Sequence, residues 1–211
     1  MDISSLTIDE FLARLGSSDP TPGGGALAAV SGAMAAAMLA MVCNLTSGRP
    51  RYAHVEAQVR DILTQTLAWQ QRLIALANAD ADAYLAVRDA YRLPRSTEAE
   101  REARAEAIEQ SMRGATEVPV ETAEAARKVL HLAFRSAEIT NVTTLGDVAT
   151  AAHLAVAAAR AAADQARLNL LTVHDAEFAA AMVQRIELAL ADAESVLSST
   201  LENVQARASE V

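Results

Sequence analysis

The chain has 211 residues, 52% of them hydrophobic, enough for one domain with a substantial core. Its formal net charge of -9 argues against a nucleic-acid surface or a general attraction to anionic lipid, since both need a basic face. The single cysteine, Cys43, lies in an apolar run and leaves no intrachain disulfide, so a reducing, cytoplasmic setting is expected. The opening MDISSLTIDE is acidic and lacks the positive region of an export signal.

Thr7 and Glu10 form a capping box that opens a short first helix, ended by Gly16 and the Ser17-Ser18-Asp19-Pro20 turn. After Pro22 come Gly23, Gly24 and Gly25 and then a run of small apolar residues, read as a central helix that stops near Ser47-Gly48-Arg49-Pro50. Residues 26–42 are uncharged and nearly long enough to cross a bilayer, but Ala, Gly, Ser and Met in place of Leu, Ile and Phe point to a buried core helix. Gly24, Ala28, Gly32 and Ala36 recur every fourth position and leave one side of that helix nearly flat.

Apolar residues return at helical spacing over 53–91, until Pro94 forbids continuation. A second capping box, Thr97 with Glu100, starts a stretch toward Arg113, and Pro119 suits the first turn of a separate helix over 120–137. The last two helices are expected over 144–171 and 175–208, the latter carrying Phe178, Met182, Ile186, Ala189 and Ala193 on one face. No segment alternates apolar and polar residues as a strand would. The expected fold is therefore all-α: an antiparallel bundle of long helices in a single domain over 1–211, with no sheet. Alanine-lined interfaces bury little area, which favours pairing with a second copy, so a homodimer is expected.

The glycine run at a helix start can expose backbone N–H groups to an anion, yet no Walker lysine follows it and no strand precedes it. Close chain approach is the better reading from pattern alone. The four histidines sit singly on different predicted helices, without paired metal-ligand spacing, so no metal site is expected. Asp80 and Asp82, two positions apart on a helix, point in different directions, so at most one looks inward. Asp147 follows the polar run Thr140-Asn141-Val142-Thr143-Thr144; its spacing from Thr144 fits a capping box as well as it fits catalysis. Arg49, Arg51 and Arg95 are the basic candidates, at two helix breaks.

On these residues the sequence resembles the cyclodeaminase/cyclohydrolase group of folate enzymes. The resemblance spans nearly the whole chain and is carried by PTPGGGALAAVSGAMAAAMLAMVCNLTSGRPRY at 20–52, DADAY at 80–84, AYRLPRST at 90–97, ATEVPVETA at 115–123, the 141–147 segment and Asn169-Leu170. It implies a reduced folate as ligand, a tetrahydrofolate derivative acting as substrate with no separate cofactor, and no nucleic-acid or membrane partner. Within the group, the stand-alone pattern implies hydrolysis of 5,10-methenyltetrahydrofolate to 10-formyltetrahydrofolate in one-carbon metabolism. The cyclodeaminase reaction, which closes 5-formiminotetrahydrofolate with loss of ammonia, is the second reading, and a folate-binding helical dimer without turnover is the third.

By the same resemblance Asp147 and Asp80 are the catalytic candidates. Gly23, Gly24, Gly25, Arg49, Arg51, Tyr52, Arg95, Asn141 and Asn169 are the substrate-binding ones. The arginines stand where relatives commonly have lysine, and Gln165 replaces the first Asn of an Asn-Val-x-x-Asn-Leu element whose second Asn is Asn169.

Overall fold

A computed structural model describes residues 2–209. Among these residues seven α-helices carry the fold: α1 (Ile8–Leu15), α2 (Gly24–Thr46), α3 (Glu56–Tyr91), α4 (Glu98–Ile139), α5 (Leu145–Leu170), α6 (Ala176–Leu190) and α7 (Ala193–Ala208). Among the described residues there is no strand, so the all-α expectation holds. Both capping boxes form: Thr7 and Thr97 each accept from the N–H three residues on, while Glu10 and Glu100 reach back to the cap N–H.

α2 is the axis of the bundle and packs against α3, α4 and α5. Its inner side is built from Ala26, Ala29, Ala33, Ala36, Leu39 and Cys43, all essentially without solvent exposure. The alanine run of α5 is a packed face, with Ala151, Ala152, Ala155, Ala158, Ala159, Ala162 and Ala163 buried. Gly32 shows why small residues matter here: a Cβ at that position would lie 3.1 Å from Leu73 Cδ2 and 3.6 Å from the Ala158 Cβ. α2 and the segment ending in α5 are long and apolar enough to cross a membrane, but 61% of the most apolar window of α2 is buried inside the bundle, as a core helix requires.

Two boundaries differ from the sequence reading. Pro119 does not begin a helix: it lies buried inside α4, which runs unbroken through it. The carbonyl that its missing N–H leaves free, that of Ala115, accepts instead from Asn169 Nδ2 at 2.7 Å, so tertiary contact replaces the lost rung. The last predicted helix divides at Ala191 and Asp192 into α6 and α7. There Asp192 turns back onto α4, accepting from Arg127 Nε at 2.8 Å and Nη2 at 2.7 Å, with His131 Nε2 at 2.9 Å. The predicted apolar face survives the break, since Phe178, Met182, Ile186, Ala189 and Ala193 are all buried.

The Arg127 guanidinium, with His131 beside it, lowers the Asp192 carboxyl to about 2. A depressed folded value means this stabilisation is present above the ordinary carboxylate range and is lost as pH falls through about 2. Asp192→Ala is expected to cost about 1–2 kcal/mol at neutral pH, and the gap from the unaltered protein is expected to close in acid unfolding between pH ~4 and ~2. Urea titrations at a series of pH values check this.

Candidate ligand cavity at the start of α2

The glycine run sits where α2 begins. Gly23 is the N-cap, extended (φ -111°, ψ -161°) and without a side chain to cap, so the first N–H groups of α2 have no acceptor within the helix. One is satisfied from outside: Ala26 N–H donates to Asp80 Oδ2 at 2.9 Å. Asp80 reaches this position because residue 25 has no side chain. A Cβ on Gly25 would stand 2.0 Å from Asp80 Oδ1, and one on Gly24 would stand 2.8 Å from Gln165 Nε2. Burial pushes the Asp80 carboxyl above its ordinary value, and the Ala26 hydrogen bond only partly opposes this.

A cavity of about 360 Å³ opens in front of this pair. α3 supplies Asp80, Ala83, Tyr84 and Val87, which share one helix face through their spacing of three, four and seven. α5 adds Gln165 and Asn169, one turn apart, and α4 adds Met112 and Ala115. The walls are thus part apolar, with a carboxylate, two side-chain amides and the start of a helix converging between them. Such a site offers hydrogen-bonding groups between apolar walls, and a cation lying beside Asp80 would be favoured.

Of the residues singled out from sequence, Asp80, Gly23, Gly24, Gly25 and Asn169 come together here. Asp82 is exposed, in keeping with its position two residues from Asp80. Asp147 is half-buried in the first turn of α5, about 27 Å along that helix from Gln165 at 1.5 Å per residue. It does not belong to this cavity within one copy of the chain. Nor does it form the expected capping box: the Thr144 hydroxyl donates to the Asn141 carbonyl at 2.7 Å, and the Asn141 side chain caps the preceding turn.

Asn141 is buried at that same far end, where its N–H donates to Thr46 Oγ1 at 3.0 Å. The Tyr52 hydroxyl donates to Asn141 Oδ1 at 3.4 Å and accepts from Val142 N–H at 3.1 Å. These two residues fasten the end of α2 to the start of α5. Arg49 and Arg51 are exposed beside them, and Arg95 is exposed in the turn between α3 and α4. Tyr84, Gln165 and the Ala115 carbonyl are cavity features that the sequence reading did not assign. Helical spacing could have found the first two, one turn from Asp80 and Asn169; only tertiary structure reveals the third.

A second cavity, of about 400 Å³, lies between α3, α4 and α6. Three of its four cations are paired: Arg185 binds Glu124 through Nε at 2.8 Å and Nη2 at 2.7 Å, Arg72 pairs with Glu121, and Arg127 is held by Asp192. The exposed Lys128 is the fourth. No three His, Cys, Asp or Glu side chains gather as metal ligands among the described residues.

The fold and cavity describe an all-helical protein in which a half-buried acid at a helix start faces a ligand-sized opening. Comparison with known proteins refines that class: the chain belongs to the formiminotransferase-cyclodeaminase family, whose model matches residues 7–188. It is 38% identical over 201 residues to a methenyltetrahydrofolate cyclohydrolase of Methylorubrum extorquens, covering 95% of this chain and 97% of that one. It is 31% identical over 197 residues to a formimidoyltransferase-cyclodeaminase of Sus scrofa, covering 93% of this chain but 36% of that longer protein. Its structure matches the crystal structure of a formiminotetrahydrofolate cyclodeaminase from Thermotoga maritima with a TM-score of 0.87 at 27% identity, covering 97% and 98% of the two chains.

The three glycines are expected to tolerate alanine unequally. At Gly23 the new Cβ would meet only the Pro20 carbonyl at 3.4 Å, and at Gly24 it meets the movable end of Gln165, whereas at Gly25 it collides with a carboxylate held by the Ala26 N–H. Gly25→Ala should therefore lower stability by about 2–3 kcal/mol, with Gly24→Ala and Gly23→Ala each below about 1. Thermal melts of the three variants check the order.

Proposed function

We propose that this protein is a methenyltetrahydrofolate cyclohydrolase, converting 5,10-methenyltetrahydrofolate to 10-formyltetrahydrofolate. The observation that carries the reading is the Asp80 carboxylate, half-buried at the start of α2 and facing a ligand-sized cavity. The near full-length likeness to a cyclohydrolase supports it. The methenyl carbon lies between two nitrogens in an amidinium-like cation. A half-buried carboxylate favours that cation and stands ready to take a proton from attacking water. Water forms the new C–O bond while Asp80 accepts one of its protons. The bond from that carbon to N5 then breaks and the proton passes to N5. The remaining hydroxyl proton leaves to solvent as the formyl carbonyl forms. A carboxyl whose pKa is raised by burial is better suited to hand the proton on than a fully solvated one.

Cyclodeaminase activity, with ammonia as the leaving group from the same carbon, is the second reading, and the likeness to the Thermotoga maritima structure favours it.

We further propose that the working unit is a homodimer. α2 exposes Leu27, Met34, Met41 and Leu45 along one side, the first three spaced by sevens. This is an apolar seam suited to a second helix. Antiparallel pairing of α2 with its copy about the middle of that seam sets Gly23–Gly25 of one copy beside Ser47–Arg49 of the other. Asp147, Asn141, Arg49 and Arg51 of the second copy then complete the cavity that holds Asp80. The arginines would meet the glutamate carboxylates of the folate, which the net charge of the protein otherwise repels.

The test follows loss of the methenyl absorbance above the buffer rate, together with ammonia release from the formimino compound. Asp80→Asn and Asp147→Asn are each expected to lower turnover at least 100-fold. Asp80→Asn should leave the melting temperature at neutral pH unchanged or higher, because ionising a buried acid of raised pKa costs stability as pH rises. Mixing the two inactive variants after subunit exchange should restore about a quarter of full activity, because half the molecules are mixed and each mixed dimer holds one intact site. Activity that stays lost on mixing would rule out the shared site. Folate binding without turnover by the unaltered protein would rule out the enzyme.

A further inference from the structure

We infer that Pro119 is a positioning residue of the cavity: by deleting one rung of α4 it hands the Ala115 carbonyl to Asn169 and so fixes which end of the Asn169 amide faces the ligand. The inference deepens the folate reading of this site and rests on it for the identity of the ligand only.

Proline inside a helix costs about 3 kcal/mol relative to alanine, yet α4 runs from Glu98 to Ile139 through a buried Pro119. Pro119 has no N–H, so the carbonyl four residues earlier has no partner within the helix. That carbonyl belongs to Ala115, which lines the cavity. Asn169, on α5 across from it and also lining the cavity, donates to it through Nδ2 at 2.7 Å.

A carboxamide has a donor end and an acceptor end. Turned the other way, Asn169 would set its own oxygen against the Ala115 oxygen, two acceptors with no proton between them. The orientation is therefore dictated by the free carbonyl, and Oδ1 is left as the end available to a ligand. Asp80 contributes further acceptor oxygens to the same cavity. An acceptor-rich wall of this kind recognises a heterocycle edge that carries neighbouring N–H donors, as the amino-pyrimidinone edge of a pterin does. With an ordinary residue at 119 the rung would close, the Ala115 carbonyl would be shared between α4 and Asn169, and its hold on the amide would weaken.

Pro119→Ala is expected to hold or raise the melting temperature, while the KM and the calorimetric Kd for the reduced folate rise about 10-fold and kcat changes less than 2-fold. Asn169→Ala should weaken binding by a similar factor and lower the melting temperature, because it strands the Ala115 carbonyl. In the Pro119→Ala background the same Asn169→Ala change should cost clearly less, since the helix has reclaimed that carbonyl. Additive melting shifts, or a Pro119→Ala protein that binds folate as tightly as the unaltered one, would overturn the inference. Failure of the unaltered protein to bind folate would overturn the function instead, while the melting pattern still tests the carbonyl transfer.

Discussion

The site depends on one contact, that of the Asp80 carboxylate with the first turn of α2. A carboxylate gains at a helix N-terminus both from the aligned peptide dipoles and from N–H groups that lack internal partners. Here the contact is made by a side chain from another helix, so it also fixes how far α3 slides along α2. The position of Gly25 leaves no room for a Cβ, and the interaction is therefore built as much from a missing side chain as from a charge. Burial sufficient to shape a cavity also raises the acid's pKa. The packing and the proton chemistry thus have a common cause.

Small residues serve the same end over the whole bundle. With Ala or Gly at most inner positions of α2 and α5, backbones approach closely and the few long side chains of the core, such as Leu39, Ile62, Leu73 and Leu76, fill what space remains. Alanine also has high helix propensity, so the segments that pack most closely are the ones that hold their helical form best. Close packing leaves few openings, and the described cavities occur where helices end or where their partners change. The ligand cavity is of the first kind, bounded by the start of α2 and the last turns of α5.

Much of this was legible in the residues. Capping boxes, helix spacing and the lack of alternation predicted the helices. The glycine run, with Asp80 and Asn169 assigned through the family motifs, marked the cavity. Three things were not legible, for a physical reason in each case. Pro119 reads locally as a helix start because proline fits a first turn, and only the Asn169 amide, fifty residues away in sequence, makes an interior proline tolerable. The break at Asp192 is similar: its local sequence permits helix, but a bidentate contact with Arg127 holds the chain in a turn. Distances along a helix were the other blind spot. Asp147 and Asn169 carry motif residues on one helix, yet that helix is far longer than any small ligand.

This length constrains how the family motifs can act together. In a bundle whose core helices rise 1.5 Å per residue, residues at opposite ends of α2 and α5 lie about 30 Å apart, and no hinge among the long helices would close that gap. Polar groups at the two ends can share a ligand only if another copy brings its opposite end alongside. A two-fold axis across the middle of α2 does this without further machinery, because antiparallel pairing exchanges ends by symmetry. The exposed leucines and methionines run along α2 between its two ends, the one stretch such an axis would bury. In the proposed dimer an apolar seam there and polar residues at either end have a single explanation: the seam would join the copies, and the ends would form two equivalent sites.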